Sequence, residues 1–211
     1  IWAQMRVGST YRKYARVRSR SGLTGAQAAQ RILQMSGIYD VRIEHVRGEL
    51  TDHYDPAHKV LRLSDSVYGS DSIAAIGVAA HECGHAIQDD RSYAPLRIRN
   101  SLVPIANIGT QAAWPIILVG LVFASSNFLV NLGILLFSLG VLFQLVTLPV
   151  EFDASGRAIR ILSDSGILYE EEIKQTRKVL GAAAMTYVAA AAASILSLLR
   201  LLILFGGRNR D

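Results

Sequence analysis

The sequence predicts a mostly α-helical membrane protein, a helical bundle carrying a small polar α+β domain. Three observations carry that expectation. Residues 102–148 contain no Lys, Arg, Asp, Glu or His, a run long enough for two membrane crossings and too apolar for an ordinary core helix. A second apolar stretch covers about 180–205, with Arg200 near its end. Residues 1–100 are polar and charged, and within them a short alternating segment lies between two helical patterns.

The chain starts with Trp2 followed by Arg6, Arg12, Lys13, Arg16, Arg18 and Arg20. Aromatic and basic residues in this order look like the interfacial end of an earlier span, so residues 1–20 read as a basic juxtamembrane segment after an N-terminal membrane helix outside this numbering. Residues 21–101 form the polar domain. Leu23-Thr24-Gly25-Ala26-Gln27 is a helix start, with Thr24 as N-cap, Gln27 as its capping-box partner and Leu23 as a staple. That helix ends near Met35, before Gly37. Val41, Ile43 and His45 then alternate with Arg42, Glu44 and Val46, and Asp55-Pro56-Ala57-His58 supplies turn chemistry between two further short runs. A small antiparallel sheet over 41–63 is expected. Its exposed edge offers a place for an extended peptide to add as a strand. A helix follows from about Ser72 to Gln88, with Asp71 or Ser72 as N-cap.

Residues 102–148 divide into spans at about 102–123 and 128–148, with Ser125-Ser126-Asn127 as the turn. Residues 149–179 return to the polar phase as a helix, 180–205 form a third membrane helix, and 206–211 a tail. Asn107, Gln111, Asn127, Asn131 and Gln144 are uncharged and suit hydrogen bonding between helices. A transporter reading lacks an intramembrane acid to couple ions. Of 22 Lys and Arg, 14 precede residue 101 and five lie in 149–179. The positive-inside rule then places both polar regions on the cytoplasmic side. The net charge of +5 is accounted for in that way, and no nucleic-acid partner is expected, since no folded platform interleaves basic and aromatic residues. The single cysteine, Cys83, excludes an intrachain disulfide and suits a reducing compartment.

The chemistry lies in the helix at 72–88. His81-Glu82-Cys83-Gly84-His85 fits H-E-x-x-H. Residues four apart share a helix face, so both imidazoles can reach one metal ion, and Glu82 can reach the water there as general base. Cys83 faces away and is read as a helix-packing residue. A catalytic zinc needs a third protein ligand and an open position. Glu151, Asp153 and the upstream His45, His53 and His58 are the candidates. Asp153 and Ser155 are also candidates to orient a ligating imidazole, and His53, Tyr54, Tyr93, Arg157 and Tyr169 to stabilise an oxyanion.

Four segments carry a resemblance: Gly48-Glu-Leu-Thr-Asp-His-Tyr-Asp-Pro, Leu61-Arg-Leu-Ser, Ala80-His-Glu-Cys-Gly-His-Ala-Ile-Gln and Leu148-Pro-Val-Glu-Phe-Asp-Ala-Ser. They resemble the YugP-like neutral zinc metallopeptidases of bacteria and, more distantly, HtpX-type and CAAX prenyl proteases. The resemblance implies a zincin-like metallopeptidase domain of gluzincin type in the bacterial plasma membrane. It implies one zinc ion on His81, His85 and Glu151, facing the cytoplasm, and a protein or peptide substrate. HtpX-like relatives carry an Asp four residues after the ligand Glu, where this chain has Ser155. A scaffold keeping zinc without cutting is the alternative, and an intact Glu82 argues against it.

Overall fold

The computed structural model describes residues 2–122 and 127–205, and the fold is mostly helical. It divides into two compact units, one of residues 1–93 and 150–186, the other of 94–149 and 187–211. In the first unit, α1 (Trp2–Tyr14) precedes α2 (Gly25–Met35). Thr24 Oγ1 accepts from Gln27 N, and Gln27 Oε1 accepts from Thr24 N, so the capping box forms as the sequence predicts. The helix ends at Ser36, and Gly37 follows at φ +78°, where a side chain would be strained.

The sheet departs from the expected pattern. Strands β1 (Arg42–Val46), β2 (His53–Asp55) and β3 (Val60–Ser64) lie in the order β1-β3-β2. β2 and β3 pair antiparallel across the Pro56–His58 turn, but β1 and β3 run parallel, so the sheet is mixed. The physical reason is burial. Val60-Leu61-Arg62-Leu63 is the most apolar of the three runs and takes the centre, where Leu61 and Leu63 are fully buried. The less apolar β1 and β2 are left on the edges.

After the short α3 (Asp65–Tyr68) comes α4 (Ile73–Asp90), which carries the H-E-x-x-H segment. Ser72 caps it by accepting from Ala75 N. α4 is buried along nearly all its length and shares one core with Ile32 of α2, Leu61 and Leu63 of β3, and Leu162. The helix could not sit so deep with large side chains on every face. Gly84 shows why: a Cβ there would lie 2.5 Å from the Ala154 carbonyl oxygen.

The second unit contains α5 (Ala94–Val122) and parts of α6 (Asn127–Asp164) and α7 (Glu170–Phe205). These three helices are long and apolar enough to cross a membrane. Ile117, Val130, Ile134 and Leu201 form a core of their own. Gly133 packs against Ala113 and Ile117, a contact a side chain would forbid. Of the expected 125–127 turn, Ser125 and Ser126 lie outside the described residues, as do Phe123 and the 206–211 tail, and Asn127 opens α6. Pro149 does not begin a new helix: α6 runs through it for 38 residues. A proline there lacks the N–H that would bond the Leu145 carbonyl and crowds that carbonyl with its ring, a disturbance that membrane helices tolerate. The region expected as a separate helix over 149–179 is therefore the end of α6 and the beginning of α7.

Two outcomes follow from this packing. Gly84→Ala must push α4 and α6 apart, costing about 1–3 kcal/mol, read as a lower Tm. Asp55 contacts His58 Nδ1 at 2.8 Å and accepts from Arg62 Nη1 at 3.0 Å, and these two hydrogen bonds hold its carboxyl below the usual carboxylate range. A carboxylate with a depressed pKa stabilises the fold above its unfolded value, near ~4, and loses that effect as pH falls. Asp55→Asn therefore lowers Tm at pH 7, and the difference from wild type shrinks below about pH 4.

Candidate metal centre

α4 presents His81 and His85 one turn apart, with ring centroids 4.8 Å from each other in an edge arrangement. The polar end of α6 brings Glu151 against them. Its Oε2 lies 3.3 Å from His81 Nε2, and its Oε1 lies 3.7 Å from His85 Nε2. Ligand atoms on a tetrahedral zinc at ~2.0–2.1 Å stand about 3.3–3.5 Å apart, so these separations suit one ion. His81, His85 and Glu151 offer ligand atoms all within 4.8 Å of one another.

The imidazoles are held from behind. Gln88 Nε2 donates to the Val150 carbonyl and to Asp153 Oδ2, each at 2.8 Å. Its amide nitrogen is thus used up, so Gln88 Oε1 must accept from His85 Nδ1–H at 3.0 Å. That assigns the His85 tautomer and turns the Nε2 lone pair toward Glu151. The Ser155 hydroxyl stands 3.1 Å from His81 Nδ1 and orients that ring in the same sense. Asp153 reaches His85 only through Gln88, and it also accepts from Arg157 Nε at 2.6 Å. The Arg157 guanidinium covers the Tyr93 ring at 5.6 Å.

The donor set fits a cation. Two imidazole Nε2 atoms and a carboxylate converge, and Glu151 Oε2 is buried with no hydrogen-bond partner. A metal ion held between the rings and the carboxylate would satisfy that oxygen. Burial pulls His85 toward its neutral form, but contact with Glu151 and the charge of Glu82 outweigh it, and the net direction is up. Glu82 is only 8% exposed, and no described side chain hydrogen-bonds or salt-bridges to its carboxylate.

The other sequence candidates lie elsewhere. His45 contacts Asp65, His58 contacts Asp55, and His53 Nδ1 bonds the Thr51 carbonyl, so all three are engaged around the sheet. They stand outside the metal-competent group, as does Asp153. Tyr54 donates to Asp89, and Tyr169 lies under the Arg20 guanidinium. Cys83 is buried, its thiol near the Ala29 carbonyl oxygen, and burial pushes its pKa up. Gln88 went unread in the sequence. Its signal was its place three residues past His85, on the same helical face.

Three helices long and apolar enough to cross a membrane, and a His–His–Glu cluster that could hold a metal ion, suggest a membrane protein with a metal site. Comparison with known proteins narrows this. The chain belongs to the family described as "Putative neutral zinc metallopeptidase", which matches residues 1–206. A relative in Bacillus subtilis (strain 168), "Putative membrane protease YugP", is 49% identical over 212 residues, covering 100% of this chain and 94% of the relative. No solved structure matches the chain.

Gln88 is the sharpest test of the support behind the rings. Gln88→Leu removes the acceptor from His85 and two donors from α6. Its zinc affinity falls about 10–100-fold in chelator competition, while Ser155→Ala causes a smaller loss confined to His81.

Proposed function

We propose that the chain is a membrane-anchored zinc endopeptidase of gluzincin type that hydrolyses peptide bonds of membrane or membrane-associated proteins on the cytoplasmic side. One observation carries this: on α4, Glu82 follows His81 directly and precedes His85, the two histidines that converge with Glu151, and no described side chain bonds its carboxylate. A structural metal site does not require such a group. His81, His85 and Glu151 would hold one zinc ion. When bound, zinc supplies Lewis acidity to polarise the scissile carbonyl and acidify water.

The remaining work falls to the chain's own residues. Glu82 takes the proton of the attacking water and delivers it to the leaving amine. Ser155 and Gln88 hold the two imidazoles in the ligating tautomer. Of the oxyanion candidates read from the sequence, Arg157 and Tyr93 stack on each other next to the Gln88–Asp153 link, with Arg157 Nε bonded to Asp153. β2 is an edge strand tied to α4 through Tyr54 and Asp89, so a substrate added along that edge would lie beside the motif helix. Glu151 follows the apolar residue Leu148 by three positions, less than one helical turn. This spacing and the basic flanks of the spans support a site close to the cytoplasmic face.

Cleavage of an unstructured protein by zinc-loaded chain in lipid nanodiscs, compared with Glu82→Gln, tests the reading. Glu82→Gln keeps its zinc but loses activity by about 10²–10⁴-fold. A chelator abolishes wild-type cleavage and added zinc restores it. Equal cutting by both proteins sinks the proposal.

A further inference from the structure

α1 is basic without compensation. Residues 1–39 contain no Asp or Glu, and Arg6, Arg12, Lys13 and Arg16 form no salt bridge among the described residues. Arg6, Thr10 and Lys13 follow at steps of four and three, so they share one face of the helix. Within the first unit this face and the part of α7 from Lys178 to Met185 enclose a pocket of about 340 Å³. Lys178, Gly181 and Met185 in turn share a face of α7.

The pocket changes character along α7. Lys178 is the last charged residue before Arg200, and residues 179–199 carry no charge. That run belongs to a helix long and apolar enough to cross a membrane. The pocket therefore straddles the point where α7 passes from its polar to its apolar phase. Its polar half offers three exposed cations, Arg6, Lys13 and Lys178, and no acidic side chain lines it. Glu171, two turns before Lys178, is engaged by Lys174. The Thr10 hydroxyl forms no hydrogen bond among the described residues and is a further donor. The apolar half is open: a Cβ at Gly181 would meet no atom within 4 Å, and Met185 is 39% exposed.

We propose that this pocket seats the headgroup of an anionic phospholipid, its phosphate among Arg6, Lys13 and Lys178 and the start of an acyl chain along Gly181 and Met185. Guanidinium and ammonium groups with no acid among them suit a phosphate, and basic pockets at the edge of membrane helices hold lipid headgroups in this way. The boundary within the pocket decides the occupant. A free phosphate uses only the cations, and an acidic peptide would have to leave water for the hydrocarbon edge at which Lys178 stands. A phospholipid joins phosphate to hydrocarbon at that same edge. The inference rests on the membrane placement of α7 and is independent of the peptidase reading, since lipid binding is read without any cleavage.

The test uses the full chain in nanodiscs of equal parts phosphatidylcholine and phosphatidylglycerol, with the lipid retained on release read by native mass spectrometry. Wild type should retain one phosphatidylglycerol in preference to phosphatidylcholine by about a hundredfold. Arg6→Gln/Lys13→Gln/Lys178→Gln should bring the two lipids near parity. Arg12→Gln/Arg16→Gln/Arg31→Gln removes the same charge away from the pocket and should keep the preference. Lys178→Gln alone, at an exposed position that does not disturb folding, should lower it about fivefold, and Met185→Gln should lower it with every cation in place. Tm in phosphatidylcholine alone confirms that each variant is folded. Equal losses in the two triple variants show diffuse attraction to an anionic surface and overturn the site. Retention unchanged in Lys178→Gln and Met185→Gln overturns it as well. Displacement of the lipid from wild type by an equal concentration of glycerol phosphate shows a site for a soluble phosphate and overturns the lipid assignment.

Discussion

The close approach of α4 to α6 at Gly84 and Ala154 is the constraint on which the centre depends. Glycine at 84 lets the two backbones nearly touch, and only then does a carboxylate on α6 come within 3.3–3.7 Å of imidazoles on α4. One residue serves both packing and chemistry. The same close approach lets Gln88 cross from α4 to the Val150 carbonyl, tying the helices by hydrogen bonds where they are tied by packing at Gly84.

The centre concentrates polar groups in a place where burial would penalise them. Glu82, His85, Gln88 and Glu151 are all buried. Gln88 is satisfied in full by His85, Val150 and Asp153, so it adds rigidity without an unpaired group. Glu151 is not satisfied by the protein alone. A buried carboxylate oxygen without a hydrogen-bond partner, beside two imidazole Nε2 atoms, is a place that could hold an ion.

Much of this was legible before any coordinates. Thr24 and Gln27 announce a capping box because the signal is local, four residues that bond to one another. The apolar runs announce membrane-length helices because hydropathy is a property of the segment. His81 and His85 announce a shared face because helical periodicity fixes it. The direction of β1 was not legible, since alternation shows which residues face inward but not which neighbour a strand takes. Nor was the continuity of α6 through Pro149, because a proline signals a helix boundary and a tolerated kink alike. His45, His53 and His58 were open as ligands on residue type alone, and only their engagement around the sheet sets them apart from the centre.

What the sequence by itself determined was the set of local facts: an H-E-x-x-H face on a capped helix, three apolar helices, and basic flanks, each written within a few turns of chain. The family resemblance added Glu151. Tertiary structure alone decided that Glu151, 66 residues after His85, meets the histidines, and that Gln88 and Ser155 hold the rings. The reason is physical. Periodicity and capping depend on neighbours in sequence, whereas a ligand set and a cleft depend on which helix faces meet, and that is settled by packing across the whole core.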